Sequence, residues 1–440
     1  MQTDRLLENK VFPFKEVLFD FYNNQYKNFY LVGGFVRDLL LGRTIKDIDI
    51  VAEGIDYRDF ATKINRFIKG NRVEFKDNVR LVKDGVTIDI SKLRGKDLLE
   101  DLKYRDFTIN NLALHFENGL IGDRTDIDKG IIRIAYNNSF IDDPLRILRG
   151  FRFMSELNFT IDSFTLDMMI NNKNLLDSIP SERINKEFTT LLLGVNCYNT
   201  LIEMRKSGVI FKLIPEFSTL DSLYGGKYHT EDVLSHTFTF TKIVLNQLHK
   251  YNERDKLVLI LASLLHDIGK GAEIYKDTKG KFFDHEKIGA KMSEQILKRL
   301  SFPLKIVKDV CFLVEKHGYI RRFVTNGVRD FTLLKFVFEN YNFLDKIIEI
   351  SISDAKSKLR DTVEFYEMIR NIRESMKLLD FEKLKLVSGN DLLSLGVPKG
   401  PLMGYMLKEV HFRLVSGFIK DRDEAIKFIK YLLKEKLQQS

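Results

Sequence analysis

The stretch Leu31-Val-Gly-Gly34 and the alternating run Asp47-Ile-Asp-Ile-Val51 decide the fold of this chain. The apolar residues before the two glycines predict a short strand, and the amphipathic segment after them, up to Leu41, predicts a helix. The alternation in the second run predicts another strand, on which Asp47 and Asp49 point to the same face of a sheet. This succession of strand, glycine turn, helix and strand indicates an N-terminal domain built on a sheet.

Further elements of both kinds extend this domain. A helical pattern runs from Asp56 to Lys69, and β-like runs follow at Asn71–Phe75, Val79–Val82 and Val86–Ser91. The sheet signal ends near Ile134, and beyond it apolar residues recur only at helical spacing. We therefore predict an α+β fold, with a mixed-sheet head followed by an all-α body. The expected divisions are a head at 1–135, a helical neck at 136–225, a histidine-bearing helical domain at 226–370 and a C-terminal helical segment at 371–440.

The composition indicates which kind of partner and which cellular compartment to expect. The chain has 440 residues, with 70 lysines and arginines against 62 aspartates and glutamates, which gives a net charge of +8. This excess favours a polyanionic partner such as RNA, although many enzymes without one share it. Cys197 and Cys311 lack the spacing of a metal or redox site, which indicates a reducing compartment. The first residues lack a signal-peptide core, and the longest apolar run, Leu257–Leu265, is too short to span a membrane, so we expect a cytoplasmic protein without a membrane partner.

The turn at Gly33 and Gly34 has the properties of a phosphate-binding loop. Two glycines let the backbone approach a phosphate closely, and the following helix presents its backbone N–H groups. Arg37, one helical turn on, offers a fork of donors to triphosphate oxygens. A plain tight turn with a surface arginine would give the same local pattern.

Asp47 and Asp49 predict a site for a hard cation. Carboxylates that share one face repel each other unless a cation lies between them, and Mg²⁺ prefers such oxygen ligands. Asp89, in the later strand-like run, could supply a third carboxylate. A pair of solvent-facing aspartates is the alternative interpretation of the same residues.

Several motifs follow in a fixed order: Arg105-Asp-Phe-Thr-Ile-Asn110; then Asp126, Gly130 and Arg133; then Asp142-Asp-Pro-Leu-Arg146 with Arg149, Arg152 and Phe153; and finally Ser181-Glu-Arg-Ile184. Together with the glycines and aspartates upstream, they resemble the signature of the tRNA nucleotidyltransferase and bacterial poly(A) polymerase family, the class II nucleotidyltransferases. The resemblance implies a polymerase-β-like head. It also implies template-independent addition of C, C and A to the 3′ end of tRNA from CTP and ATP, with release of pyrophosphate and with Mg²⁺ as cofactor.

The same resemblance assigns roles to residues of these motifs. Asp47 and Asp49, with Asp89, would be catalytic, and Asp106 would accept a hydrogen bond from the ribose 2′-hydroxyl. Asp143 accepts and Arg146 only donates, which suits cytosine and adenine alike, since both show an amino donor beside a ring-nitrogen acceptor. A helical i, i+3 ion pair between these two residues is the alternative. The complete nucleotide-binding set would be Gly33, Gly34, Arg37, Arg105, Asp106, Asn110, Asp143, Arg146, Arg149 and Arg152.

The chain departs from the family pattern in the segment between Asp89 and Arg105, which is short. In the family, a longer loop there is associated with the switch from CTP to ATP, so the short segment resembles enzymes that add only two cytidines. Addition of C and C alone, and poly(A) synthesis, are therefore alternative activities. Smaller departures occur at Tyr104, Asn111 and Asp142, where the family commonly has arginine, alanine and glutamate.

A second constellation consists of His236, His266-Asp267 and Asp354. Its order resembles the HD phosphohydrolase domain that is fused to some CCA-adding enzymes. The resemblance implies that these residues hold a divalent transition metal or Mg²⁺ and that His285 lies nearby to bind phosphate or support a ligand. Phosphatase or 2′,3′-cyclic phosphodiesterase activity would follow, whereas a relic that only packs against tRNA is the alternative. A third reading is an HD phosphohydrolase whose head merely binds RNA.

Overall fold

The computed structural model describes residues 11–224, 231–272, 284–358 and 360–437. The first ten residues, on which the expected absence of a signal peptide mostly rests, lie outside these ranges. The chain divides into two compact units, one formed by Met1–Ser218 with Lys298–Phe302 and the other by Thr219–Leu297 with Pro303–Ser440. The finer division into four parts stays a prediction.

The first unit is built on a seven-stranded sheet with the order β3-β4-β5-β2-β1-β6-β7. The β2–β5 pair is parallel and the other pairs are antiparallel, so the predicted mixed sheet is confirmed. The strands are β1 Phe29–Val32, β2 Asp47–Ala52, β3 Asn71–Glu74, β4 Asn78–Lys83, β5 Val86–Ser91, β6 Ala113–His115 and β7 Gly119–Ile121.

Alternation along β2 places its two carboxylates on one face and its isoleucines on the other. Ile48 and Ile50 are fully buried, and so is Ile88 on the neighbouring strand β5. Burial of these apolar side chains fixes the register of the strands, because a slip by one residue would move them to the opposite face. Asp49 is consequently paired with Asp89 of β5 in the centre of the sheet.

Helices precede, connect and follow the strands of the first unit. The predicted Asp56–Lys69 helix is present, with the Asp56 side chain accepting a hydrogen bond from the backbone N–H of Arg58 at its start. The helices are α1 Lys15–Asn24, α2 Gly34–Leu40, α3 Tyr57–Ile68, α4 Leu98–Lys103, α5 Thr125–Lys129, α6 Ser139–Asp142, α7 Arg146–Leu157, α8 Ser163–Asn172, α9 Ser181–Leu192, α10 Cys197–Lys206 and α11 Ile210–Leu213.

One strand corrects the prediction that the chain is purely helical after the sheet domain. Thr160–Ile161 (β9) pairs in parallel with Ile131–Ile132 (β8). Each strand has two residues, and so short a run shows no alternation from which it could be recognised. The remainder of the body agrees with the helical prediction.

The second unit is helical in the part of it that the structure describes. Helix α12 packs against α13 and α18, and α13 packs against α15. None of the helices within the described ranges is both long and apolar enough to cross a membrane. The helices are α12 Val233–Leu245, α13 Glu253–Leu265, α14 His285–Arg299, α15 Leu304–Lys316, α16 Tyr319–Asn326, α17 Asp330–Asn340, α18 Leu344–Ser357, α19 Val363–Lys377, α20 Gly389–Ser394, α21 Pro401–Val415 and α22 Arg422–Leu437.

Candidate active site

The glycine turn between β1 and α2 is packed closely against an arginine. Gly33 has a φ of +67°, a backbone conformation that favours glycine. A Cβ at this position would lie 2.5 Å from Nη1 of Arg105 and 3.7 Å from Oδ2 of Asp49. Arg105 cannot move away freely, because its Nε and Nη2 donate to Oδ2 of the buried Asp101 at 3.0 and 2.7 Å. The glycine therefore leaves room for the predicted ribose and phosphate arginine beside the predicted metal ligand.

Gly33→Ala should damage both stability and activity. The added methyl group meets Arg105, and the backbone becomes strained, which together cost about 1–3 kcal/mol of unfolding free energy. Urea unfolding would measure the first effect and nucleotide incorporation into tRNA the second. Gly85→Ala is the matched control, because Gly85 also has a positive φ of +77° but nothing within 4 Å of its added Cβ. Full activity in Gly33→Ala would contradict the conclusion that activity requires the close approach of Arg105 to the backbone at Gly33.

Asp47 and Asp49 form an acidic face on β2, as predicted. Burial raises the pKa of Asp49 to about 6, the Arg105 guanidinium opposes this rise, and the neighbouring Asp89 and Asp47 add to it. The site therefore disfavours negative charge on Asp49 unless further positive charge arrives. Carboxylate oxygens in such a place suit Mg²⁺, so the residues fit the predicted cofactor.

Asp89 lies next to Asp49 in the sheet but already has partners. Nε and Nη2 of Arg80, on β4, each donate to one of its oxygens at 2.8 Å, and Asn78 Nδ2 donates at 3.2 Å. Its role as a third catalytic carboxylate stays a prediction. In the geometry observed, Asp89 places negative charge beside Asp49 and shares its oxygens with Arg80 and Asn78.

A buried polar network surrounds Asp106. Its Oδ1 accepts hydrogen bonds from Asn110 Nδ2 and the Phe107 N–H, both at 2.9 Å, and its Oδ2 lies 2.6 Å from Nη2 of Arg149. Burial alone would raise the pKa of Asp106, but Arg149 and these two hydrogen bonds outweigh it and hold the pKa below its usual value. Asn110 Oδ1 in turn accepts from Arg37 Nη1 at 2.8 Å. The network fixes four predicted nucleotide-binding residues relative to one another.

Asp143 and Arg146 flank the start of α7 and do not pair with each other in a helical ion pair. Nη1 of Arg146 donates to Tyr136 Oη at 2.9 Å and to Ser139 Oγ at 2.7 Å. Nη2 of Arg183 donates to both Asp143 oxygens at 3.2 Å. Each member of the predicted base-reading pair is therefore held by a separate partner, and both line the same cavity.

These groups share one cavity. Its volume is about 250 Å³, and its lining is mostly polar. The predicted site residues along it are Gly33, Gly34, Asp49, Arg105, Asp106, Asn110, Asp143, Arg146 and Arg149. A neighbouring cavity of about 320 Å³ shares Asp49 and Arg149 and adds Arg37, Asp47 and Arg152. Every predicted nucleotide-binding residue of the head and both β2 aspartates thus line one of two adjoining cavities.

Some predicted residues also have structural partners. Arg152 pairs with Glu187 at 3.1 Å and stacks over the Phe153 ring, with its guanidinium carbon 4.4 Å from the ring centroid. In the predicted hinge motif, Nε of Arg133 donates to Asp126 at 3.1 Å, and Gly130 ends α5 with a φ of +67°.

Sequence reasoning missed several residues that shape the head. Asp101 holds Arg105, Arg183 holds Asp143, and Lys92 and Arg94 line the cavity. Asp101 gave a usable signal, since it lies four residues before Arg105 on a short helical pattern. Arg183 lies in the Ser181–Ile184 motif, but tertiary packing brings it to Asp143, and tertiary packing also brings Lys92 and Arg94 to the cavity.

The second constellation also comes together, inside the helical unit. The ligand atoms of His236, His266 and Asp354 lie within 4.8 Å of one another, and all three residues are buried. Asp267 joins them, with its Oδ2 3.1 Å from His266 Nε2. Imidazole nitrogens with carboxylate oxygens suit divalent transition metals, so the four residues fit the implied ion.

Two lysines neutralise the carboxylates of this cluster. Lys270 Nζ donates to Asp267 Oδ2 at 2.6 Å, and Lys358 Nζ donates to Asp354 Oδ1. Burial alone would raise the pKa of Asp354, but Lys358 and a hydrogen bond with His236 hold it well below the usual value. Asp267 is likewise held below its usual pKa against the effect of burial, chiefly by His266 and Lys270.

The predicted neighbour His285 is present, and it is accompanied by His317, which sequence reasoning missed. Burial lowers the pKa of His317 to about 4, so that its ring is neutral near pH 7. Beside Asp354 and His317 lies a cavity of about 250 Å³ whose cationic lining comes from Arg321, Lys358 and Arg360. Cationic side chains in this position suit an anionic phosphate group.

Four family models match segments that together cover most of the chain. The Poly A polymerase head domain matches residues 29–97, and the probable RNA and SrmB-binding site of polymerase A matches residues 158–220. The HD domain matches residues 233–322, and the putative tRNA nucleotidyltransferase domain 2 matches residues 281–429. These matches confirm the predicted resemblance to the tRNA nucleotidyltransferase and poly(A) polymerase family. The fused HD domain predicted for this nucleotidyltransferase is confirmed as well.

Relatives of the nucleotidyltransferase extend over nearly its whole length. A CC-adding tRNA nucleotidyltransferase of Thermus thermophilus is 28% identical over 421 residues, covering 92% of this chain and 94% of its own. A CCA-adding enzyme of Streptococcus gordonii is 28% identical over 418 residues, covering 90% and 91%. Among solved structures, the CCA-adding enzyme of Thermotoga maritima complexed with tRNA matches with a TM-score of 0.64 at 24% identity, covering 98% of this chain and 99% of that one. This last likeness supports the fold.

Proposed function

We propose that this nucleotidyltransferase adds C, C and A to the 3′ end of tRNA, using CTP and ATP and releasing pyrophosphate. The observation that carries the proposal is the shared cavity, which is lined by Asp49 as well as by Asp143 and Arg146. A residue suited to bind metal and a pair suited to read a base are therefore within reach of one nucleotide. The relatives that add nucleotides to tRNA support the same activity.

Asp47 and Asp49 would hold Mg²⁺ in the head. When bound, Mg²⁺ polarises the phosphoryl oxygens and favours the alkoxide form of an attacking 3′-hydroxyl. The protein residues position the nucleotide: Gly33 leaves space for Arg105, and Arg105, fixed by Asp101, would place positive charge beside the triphosphate. Catalysis then depends on holding the 3′-hydroxyl and the α-phosphate in line.

Asp106 and the base-reading pair would select the nucleotide. Asp106 is ionised and lines the cavity, so it is able to accept a hydrogen bond from a ribose 2′-hydroxyl. Asp143 would accept from the amino group of cytosine or adenine, while Arg146 donates to the adjacent ring nitrogen. Uracil and guanine reverse this order of donor and acceptor and would leave polar groups unpaired in the cavity.

Product lengths test the proposal directly. Purified protein is incubated with tRNA that ends at the discriminator base, supplied with CTP, with ATP, or with both. We expect two added residues with CTP alone, three with both nucleotides, and one when tRNA already ending in CC receives ATP. Absence of any extension, with intact tRNA and Mg²⁺ present, would contradict the proposed activity.

Addition of C and C alone is a second candidate, favoured by the segment that follows β5. This segment is short and tied down: the Arg94 N–H donates to Asp101 at 3.0 Å, and the Leu98 N–H donates to Glu53 at 2.6 Å. Asp97 caps α4 by accepting from the Glu100 N–H. A segment held by so many bonds has little freedom to reshape the cavity for a second base. Extension that stops after two residues when ATP is also present would select this candidate.

For the HD domain we propose metal-dependent hydrolysis of a phosphoester, with His236, His266, Asp267 and Asp354 as the ligands. The cationic cavity beside Asp354 supports a phosphate-bearing substrate. Hydrolysis of 2′,3′-cyclic AMP and of p-nitrophenyl phosphate, measured with Mn²⁺ or Ni²⁺, tests the proposal. We expect His266→Ala to abolish hydrolysis of whichever substrate the protein cleaves while nucleotide addition persists. Equal hydrolysis by the variant would assign that activity to another site.

A further inference from the structure

The cavity beside Asp354 contains two arginines whose charges have no partner within the protein. It has a volume of about 250 Å³ and lies where α16 packs against α18 and α19. His317 and Asp354 connect it to the histidine and aspartate cluster. Arg321 and Arg360 also line it, and neither guanidinium forms a hydrogen bond or an ion pair within the described part of the chain. Two positive charges are therefore available to a ligand in this cavity.

Other polar side chains along the cavity are already bonded. Lys358 Nζ donates to Asp354 Oδ1, so this ammonium group belongs to the cluster. The hydroxyl groups of three further lining residues each have a backbone partner, and these residues are Thr325, Ser351 and Thr362. The two guanidiniums are the charged donors that remain for a ligand.

The two guanidinium charges also act on each other. Partial burial lowers the pKa of Arg321, and the charge of Arg360 lowers it further. Asp354 and Asp267 oppose this effect. Both groups stay charged at neutral pH, because arginine does not lose its proton in proteins. Like charges at one cavity repel each other, and a phosphate between them would relieve the repulsion by accepting forked hydrogen bonds from each.

The arginines are separate from the charges that serve the cluster itself. Lys358 forms an ion pair with Asp354, whereas Arg321 and Arg360 do not reach that carboxylate. A phosphate at the proposed metal ligands would be neutralised by the metal and by Lys358. The two arginines then remain for a second phosphate group elsewhere in the same cavity.

The cavity also has an apolar wall, formed by Val324, Ala355 and Phe365. Apolar and aromatic side chains of this kind suit the ribose and base of a nucleotide. The volume of about 250 Å³ is close to the lower limit of small-molecule pockets, about 300 Å³, so the cavity suits a single nucleotide. A nucleotide also places two phosphate groups on opposite sides of one ribose.

We infer that Arg321 and Arg360 form a subsite for a second phosphate group, so that the HD domain hydrolyses a nucleotide that carries phosphate on both sides of its ribose. The inference rests on the phosphoester hydrolysis proposed for this domain. The phosphate on the 2′ or 3′ oxygen lies at the metal ligands, and the 5′-phosphate lies between the arginines. Water attacks the first phosphorus, the bond from phosphorus to the ribose oxygen breaks, and that oxygen takes a proton from the water while orthophosphate is released.

Paired substrates test this inference on the full-length chain with Mn²⁺. Adenosine 2′-monophosphate and 3′-monophosphate are each compared with the bisphosphate that also carries a 5′-phosphate, and chromatography follows loss of the 2′ or 3′ group. We expect kcat/KM to be about 10- to 100-fold higher for the bisphosphate, as charge-assisted hydrogen bonds provide. Arg321→Ala and Arg360→Ala should each lower this ratio about tenfold by raising KM for the bisphosphate. Neither change should alter kcat/KM for the monophosphate, which also shows that the variants are folded.

Two further arms complete the design. Arg370→Ala is the matched control, because Arg370 is an exposed arginine on α19 that pairs with Glu367, and it should retain the ratio of the wild type. An oligoribonucleotide that ends in a 3′-phosphate distinguishes the two sources of such a substrate. Hydrolysis of this RNA end that depends on Arg321 assigns the site to RNA ends, whereas hydrolysis of the free bisphosphate alone assigns it to free nucleotides.

The outcomes separate the inference from the proposal on which it rests. Equal kcat/KM for monophosphate and bisphosphate in the wild type would overturn the second subsite and leave the hydrolysis intact. An unchanged ratio in both arginine variants would overturn the assignment of these residues. If no substrate is cleaved, the proposed hydrolysis is wrong, and calorimetry decides about the subsite. The wild type should then bind adenosine 3′,5′-bisphosphate at one more site than a variant with both arginines changed to alanine, and equal binding would reject the subsite.

Discussion

Asp49→Ala is expected to abolish nucleotide addition. The side chain lies at the centre of the sheet, beside Asp47 and facing the cavity that contains the base-reading pair. Its removal leaves Asp47 without the second oxygen ligand for Mg²⁺, at a loss of about 4 kcal/mol of transition-state stabilisation, or a fall of about a thousandfold in rate. Single-turnover incorporation of radiolabelled CTP into tRNA measures the effect.

The matched control for this variant is Asp59→Ala, an exposed aspartate on α3 that should leave the rate unchanged. Asp49→Ala should not unfold the first unit, because burial raises the pKa of Asp49 and makes its charge unfavourable without the metal. The HD domain should still hydrolyse its substrate. Nucleotide addition within a few fold of wild type would remove Asp49 from the proposed mechanism.

Arg146→Ala is expected to relax the choice of nucleotide. Arg146 has a fixed direction because Tyr136 and Ser139 hold its guanidinium, so it presents donors at one place only. A site built to hydrogen-bond one base edge discriminates by about 10⁴–10⁵, and loss of one partner should reduce this to within about a hundredfold. The ratio of kcat/KM for CTP to that for UTP, with tRNA in excess, gives the measure.

Two further variants help to interpret the result for Arg146→Ala. Asp143→Ala should relax selectivity as Arg146→Ala does, because either change removes half of the base-reading pair. Arg124→Ala is the control, since Arg124 forms an ion pair with Asp128 on the surface of the same unit. If Arg146→Ala lowers the rate equally with every nucleotide, Arg146 has a general role in positioning and does not read the base.

Strong local patterns made much of the head predictable from sequence. The alternation around Ile48 and Ile50 fixed both a strand and the common face of Asp47 and Asp49, because apolar burial dictates register. The short pair Ile131–Ile132 and Thr160–Ile161 could not be foreseen, since a strand of two residues has no period. Such elements are set by tertiary contacts and not by the residues themselves.

The candidate sites divide in the same way. Residues in ordered motifs, such as Asp106 and Arg146, were found because their spacing is distinctive. Arg183 belongs to the Ser181–Ile184 motif, but its contact with Asp143 was not predicted, and His317 was missed altogether, because each reaches its site from a helix distant in the chain. For Asp89 the position on a strand was predicted but its contacts were not. Its ion pair with Arg80 depends on cross-strand pairing that the sequence does not reveal.

The ammonium groups of Lys270 and Lys358 affect how the helical unit folds and binds metal. Each already faces a carboxylate of the metal cluster, so opposite charges are matched inside the newly made chain. We therefore expect the unit to reach its native state in a chelating buffer, unlike small domains that fold only around their ion. Metal loading would then be an exchange of cations in a folded scaffold, in which the metal competes with Lys270 and Lys358 for the carboxylates.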